Sequence, residues 1–177
     1  MPCNSLAPYL HDCGKYTKNG LNKIYMIGFH DLVNISGSTE VFATSVDGIV
    51  NQINKASGKS FVKVDQTKKT GGIKETTTIN DNGSVDFTAE FTLSIDNFGA
   101  KNKAFTESLI GVPVVVLTQL KSGVWVAVGL DGNFELRSAE GTLDDANNNR
   151  ALTFNGSIDG LIPEVDKTVV PALIALP

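Results

Sequence analysis

The chain has 177 residues, 41% of them hydrophobic, with 15 Lys and Arg against 19 Asp and Glu and a formal net charge of −4. That length fits one compact unit with an ample core, and no apolar run reaches the ~18 residues that a membrane-spanning helix needs. The charge is divided unevenly: residues 1–103 carry eleven basic and ten acidic side chains, residues 104–177 four and nine, which argues against a general nucleic-acid binder with its basic stripe.

Residues 1–21 lack hydrophobic periodicity and are rich in Gly, Pro, Asn and Lys, so they read as an N-terminal arm. No apolar segment of the signal-peptide kind lies there, and the expectation is a chain made and kept in a reducing cytoplasm. The arm carries Cys3, His11 and Cys13, with His30 as the only further imidazole. Zinc sites show closely paired ligands, and there is no CxxC here, so the reading is ordinary half-buried residues and no metal or other cofactor. A Cys3–Cys13 disulfide is disfavoured without a secretion signal. For the same reason the Asn-x-Ser sequons at Asn34, Asn82 and Asn155 carry no glycan meaning.

Lys23 to Gly28 is a short strand built on Ile24, Tyr25, Met26 and Ile27, followed by a loop with room for a strand near Asp31 to Ile35. Asp47 to Ile53 and Ser60 to Asp65 read as further strands, separated by an Ala56-Ser57-Gly58-Lys59 turn. Lys55, Lys59, Lys63, Lys68 and Lys69 form a diffuse basic zone around that turn, read as a solvated face with contact to an acidic partner subunit as the alternative.

The clearest signal follows. Val85, Phe87, Ala89, Phe91, Leu93 and Ile95 alternate with Asp86, Thr88, Glu90, Thr92, Ser94 and Asp96, which is a long strand with one apolar and one polar face. Ile73 to Asn80 alternates too, and only Asp81-Asn82-Gly83 separates the runs, so the two form a hairpin with Gly83 at the left-handed position of the loop. Parity fixes its register, because a one-residue slip would oppose apolar to polar side chains throughout. Ile79 then faces Val85, Thr77 faces Phe87 and Ile73 faces Phe91. On the other face Thr78 meets Asp86, Thr76 meets Thr88, and Lys74 meets Glu90 as a cross-strand charge pair, worth about 0.2 to 1 kcal/mol. Glu75 dissents: it falls on the apolar side opposite Ala89, so that face is open or lies against another subunit there.

A weak helix is expected over about residues 97–111, capped by Asp96 or Asn97, with Phe105 and Leu109 on one face and Gly111 beyond its end. Val112 to Leu120 is a nearly continuous apolar strand that returns through Lys121-Ser122-Gly123 into Val124 to Val128. Asp131-Gly132 turns the chain into Asn133 to Arg137, and Arg150 to Ile158 is the last strand. The intervening Asp144-Asp145-Ala146-Asn147-Asn148-Asn149 lacks the Gly and Glu of a calcium loop and reads as solvated. No nucleophile elbow or phosphate-cradling glycine motif occurs, and Asp86 with Glu90 is a wet sheet face before it is a catalytic pair. The chain is therefore read as no enzyme.

Residues 169–177, Val169-Val170-Pro171-Ala172-Leu173-Ile174-Ala175-Leu176-Pro177, contain no charged or polar side chain. Such a segment is too apolar to stay in water. With Pro171 and Pro177 it is expected to run extended and dock on a neighbouring subunit through Val169, Val170, Leu173, Ile174 and Leu176, its own core being the alternative. The organisation read here is an arm over residues 1–21, a β domain over 22–160 and an apolar tail over 161–177.

One resemblance rests on element order and short fragments: Asp12-Cys13, Lys23-Ile24-Tyr25-Met26-Ile27, the long hairpin, a Lys-bearing helix, Val114-Val115-Val116, Ser122-Gly123-Val124-Trp125, Val128-Gly129-Leu130-Asp131-Gly132, Gly141-Thr142 and Leu152-Thr153-Phe154-Asn155-Gly156. Over roughly residues 12–158 the chain resembles the bacteriophage tail tube family, most of all the versions in phages of Bacteroidetes hosts. The resemblance implies an all-β barrel or sandwich with one helix. It also implies rings of six subunits in the virion tail, contacts with other tail or neck proteins, and a channel for transient passage of viral DNA without specific binding or a membrane. Before assembly such a subunit would reside in the host cytoplasm. Lys74, Thr76, Thr78, Asp86, Thr88, Glu90 and Thr92 are then expected to face the channel, with Glu75 and the tail residues at interfaces. The same fold serves inner tubes of contractile injection systems, and the alternative class is a small-ligand-binding barrel.

Overall fold

The computed structural model describes residues 20–66, 71–96, 99–143 and 148–175. Its strands are β1 (Leu21–Gly28), β2 (Phe42–Thr44), β3 (Val50–Ile53), β4 (Val62–Val64), β5 (Gly72–Ile79), β6 (Val85–Asp96), β7 (Val114–Leu120), β8 (Trp125–Val128), β9 (Glu135–Leu143), β10 (Asn148–Ile158) and β11 (Glu164–Val165). Two helices complete it, α1 (Ala100–Ser108) and α2 (Val170–Ile174). The strands form a seven-stranded sheet ordered β2-β3-β11-β8-β7-β1-β4 and a four-stranded sheet ordered β5-β6-β10-β9. The fold is thus all-β with short helices, and the described strands form two open sheets in place of a closed barrel.

Two apolar clusters explain the composition of β7. Val114 and Val116 join Ile24, Met26, Phe91, Leu93, Leu152 and Phe154 between the sheets, while Val115 and Leu117 face the opposite way into a second cluster with Ile53, Phe61, Trp125, Val165 and Leu173. A strand covered on both faces has no polar side to show, which is why this stretch reads as continuous rather than alternating. Phe91 and Phe154 pack with ring centroids 5.9 Å apart, and Phe134 stacks on Phe154 at 6.2 Å. Aromatic contacts at these separations fill the space between the sheets.

The β5–β6 hairpin forms in the expected register, with Ile79 opposite Val85, Thr77 opposite Phe87, Lys74 opposite Glu90 and Glu75 opposite Ala89. Its loop closes by the Asn80 N–H donating to the Ser84 carbonyl at 2.9 Å, and Gly83 holds φ of 82°. The β7–β8 turn repeats that geometry, with Gly123 at φ 98°. The hairpin overhangs its sheet, because the last β10 partner of β6 is Phe87 opposite Ile158. Ile79 and Val85 therefore stay 75% and 45% exposed on the apolar side of the tip.

Several expectations need correction. The helix begins at Ala100 with Gly99 at its N-cap and no side-chain cap; Asn97 lies outside the described residues. Asp31 to Ile35 is not a strand: Phe29–Asp31 forms a tight 3-10 turn, closed by the Leu32 N–H on the Phe29 carbonyl, and only Leu32 bridges to Lys55. Strand β9 runs to Leu143 instead of ending near Arg137, because ladder bonds to β10 carry it through Ala139 and Gly141. No alternating run marks the short strands β2 and β11, which are three and two residues long. Leu21 already belongs to β1 and is buried, and the arm up to residue 19 lies outside the described residues, as do Cys3, His11, Cys13, Lys68, Lys69 and the loop at 144–147.

The C-terminal segment departs most from expectation. β11 sits between β3 and β8 inside the seven-stranded sheet, and α2 folds back onto that sheet instead of running extended toward a neighbour. Pro171 is compatible with α2 because it lies in the first turn, where a backbone N–H has no helical partner. Val170 and Leu173 are 3% and 2% exposed in the second cluster, with Val169 and Ile174 packed around them. The Leu173 carbonyl accepts from the Phe61 N–H at 3.1 Å, and Lys55 Nζ reaches the carbonyls of Leu173 at 3.4 Å and Ala175 at 3.2 Å. Residues 170 and 173 are thus core of their own chain; Leu176 lies outside the described residues.

Candidate functional site

The four-stranded sheet has two unlike faces. Ala89, Phe91, Leu93 and Ile95 of β6, with Leu152 and Phe154 of β10, are buried against the other sheet. The residues next to them along each strand point to the other face, since successive side chains of a strand alternate between faces. Lys74, Thr76, Thr78, Asp86, Thr88, Glu90 and Thr92, named from sequence, all fall on that outer face. Glu90 and Thr92 are half-buried and the others exposed.

The ladder extends the face across two strands whose contribution periodicity alone did not show. Thr92 pairs with Thr153, Glu90 with Asn155 and Thr88 with Ser157 on β10. Beyond them Thr153 pairs with Ser138, Asn155 with Glu135 and Ala151 with Glu140 on β9. A register shift between Thr153 and Phe154 leaves Arg137 as the extra residue of a bulge, which kept Glu135 to Leu143 from reading as an alternating run. The result is a broad surface of hydroxyls and amides with Asp86, Glu90, Glu135 and Glu140 against Lys74. Lys74 and Glu90 are ladder partners, but among the described residues no ion pair closes between them.

Among the described residues, both sides of this sheet end in strands with one ladder each, β5 paired to β6 and β9 to β10. Each therefore presents a row of unpaired backbone donors and acceptors, the template for adding another strand. Neither edge contains proline.

Glu75 has a role within its own chain. Its Oε2 accepts from the Ile162 N–H at 2.5 Å, which ties β5 to the segment linking β10 to β11. That segment also walls a cleft of about 250 Å³ lined by Phe42, Leu130, Asp131, Ile158, Leu161 and Pro163 among others. In the cleft wall, Asp131 Oδ2 accepts from the Asp159 N–H at 3.1 Å, while Oδ1 is buried with no partner among the described residues. Burial pushes the Asp131 carboxyl above its ordinary pKa, and the nearby Asp159 charge adds to the rise.

Of the basic zone, Lys59 pairs with Asp31 at 2.9 Å and Lys63 with Asp65 at 2.6 Å, and Lys55 is engaged by the tail. Hydrogen bonding to Asp65 raises the Lys63 pKa. Among the described residues no group of three or more His, Cys, Asp or Glu is placed to hold a metal, and no helix is long and apolar enough to cross a membrane. No family model, curated protein or solved structure matches this chain.

Proposed function

We propose that this chain is a structural subunit of a bacteriophage tail, assembling with copies of itself into a ring of a tail tube or tail ring whose channel is lined by the polar face of the four-stranded sheet. The observation that carries the reading is the combination of one wet face with two proline-free edges that pair with no further strand among the described residues. Strands β5, β6, β10 and β9 alternate in direction, so β9 of one copy meets β5 of the next in antiparallel sense when both stand the same way up. Closing the ring removes every edge of this sheet. The tail-tube type of β fold is part of the same reading.

The chemistry of the face suits a conduit. Carboxylates and hydroxyls repel or ignore a passing phosphate backbone, whereas a lysine-lined wall would hold it. DNA would pass without being bound. The exposed apolar tip at Ile79 and Val85 offers surface for contact with an adjacent ring or another tail protein. An inner tube of a contractile injection system would use the same surface in the same way. A ligand-binding barrel has less support, since the space between the sheets is filled by Phe91, Phe134, Phe154, Leu93 and Leu152.

Negative-stain microscopy of the purified protein tests the proposal. Rings of about six copies, or stacked tubes, are the expected result. A protein that stays monomeric at high concentration in sedimentation overturns it.

A further inference from the structure

At the ladder-paired positions of its polar face the two outer strands of the four-stranded sheet carry opposite charge, with Arg137 exposed at the unpaired bulge position of β9 between the two glutamates. Lys74 is the one cation among the ladder-paired positions of that face, and it lies on β5; Glu135 and Glu140 lie on β9. All three are exposed, and among the described residues none forms an ion pair. Within one molecule they stay apart because β6 and β10 lie between them, three strand spacings or about 14 Å.

We infer that these charges are recognition elements for a second copy of this chain, with Lys74 of one copy set against Glu135 and Glu140 of the next. The inference rests on the ring reading and specifies its joint. Lys74, Glu90, Asn155 and Glu135 form one continuous row across the sheet. A level joint therefore puts the next copy's Lys74 beside Glu135. Closed barrels tilt their strands and stagger the register. Glu140 shares a row with Ala151 and Ser94, four residues along β6 from Glu90, so a stagger of that size in the matching sense puts Lys74 beside Glu140.

The pattern also selects against wrong assemblies. Two β5 edges brought together in a two-fold dimer would set lysine near lysine, and two β9 edges would set glutamates near glutamates. Of the three joints, only the head-to-tail one, which closes into a ring, brings Lys74 to the two glutamates. Complementary charge of this kind acts on specificity and association rate and weakens with salt.

The test is charge exchange in the full-length chain, read by sedimentation and negative-stain microscopy. K74E alone and E135K/E140K alone are each expected to weaken self-association about tenfold or more, and K74E/E135K/E140K to restore it. Raising salt should weaken the wild type and leave the single-edge variants less affected. As a second readout, Lys74→Cys copies mixed with Glu135→Cys or Glu140→Cys copies should form disulfide-linked dimers under mild oxidation. A wild type that never associates overturns both the ring reading and this joint. Wild-type rings that persist unchanged in K74E, fail to return in the triple variant, or give no cross-link with either partner cysteine overturn the joint alone.

Discussion

The Glu75 carboxylate accepts a hydrogen bond from the backbone N–H of Ile162, so the strand at the edge of one sheet holds the segment that crosses to the other. An acidic residue on the apolar parity of β5 is thereby put to use inside its own chain, where the pattern alone suggested an open or subunit-covered face. Glu75 is exposed, which limits its worth. Glu75→Ala is expected to lower stability by about 1 kcal/mol and Glu75→Gln by less, because the amide oxygen still accepts the bond. Urea unfolding of the two variants beside the wild type checks the order.

Gly156 is required by close approach, not by a special backbone angle. A Cβ there would come within 2.1 Å of the Asn133 carbonyl oxygen and 2.9 Å of the Phe134 Cα. The backbone must move to admit even a methyl group. Gly156→Ala is expected to cost about 3 kcal/mol, seen as a lowered urea midpoint, whereas Gly160→Ala, where nothing lies within 4 Å, should change little.

Burial of Leu173 makes the C-terminal segment a stabilising part of the domain. Leu173→Ala is expected to cost about 2 to 5 kcal/mol. Removing residues 168–177 also uncovers Phe61 and Ile53 and leaves Lys55 without its carbonyl partners. The truncated chain should melt at a clearly lower temperature or fail to fold, measured by circular dichroism; an unchanged melting curve would contradict the packing described.

Asp131 gives a pH-dependent signature. Its folded pKa lies above its unfolded one, so the folded state binds the proton more tightly. The ionised form lowers stability at neutral pH, and that penalty is relieved as pH falls through the raised folded pKa toward the ordinary carboxylate range. Asp131→Asn removes the titration. The stability of wild type relative to Asp131→Asn should rise between about pH 7 and about pH 4, read from paired denaturant titrations. A flat difference would show that the carboxyl is better solvated than its buried Oδ1 implies.

Where the sequence pattern had one cause, it was readable. The hairpin alternates because one side is core and the other water, and parity then leaves a single register, from Ile79 and Val85 down to Ile73 and Phe91. Where two causes overlap, the pattern blurs. β9 carries a bulge at Arg137 and a Gly at 141 in an exposed edge, so its alternation breaks just where it completes the polar face. The tail is ambiguous in sequence, because apolar residues next to proline fit an extended strand as well as one helical turn. Which of the two forms is decided by the cavity offered by Phe61, Val115 and Leu117, all distant in sequence. The seven polar side chains read from the hairpin alternation lie on one face of the sheet. The two glutamates on the opposite edge had no signal short of the ladder itself.

Strand β7 is the wall shared by two packed layers. Loss of the outer layer, formed by α2 and the residues around Leu32 and Phe61, leaves Val114 and Val116 held between the sheets; loss of the four-stranded sheet leaves Val115 and Leu117 held from the other side. No partial opening frees this strand from both. Its amide protons should therefore exchange with solvent only when the entire molecule unfolds, and their exchange rate should report the global stability while β5 and β9 exchange early from the rims.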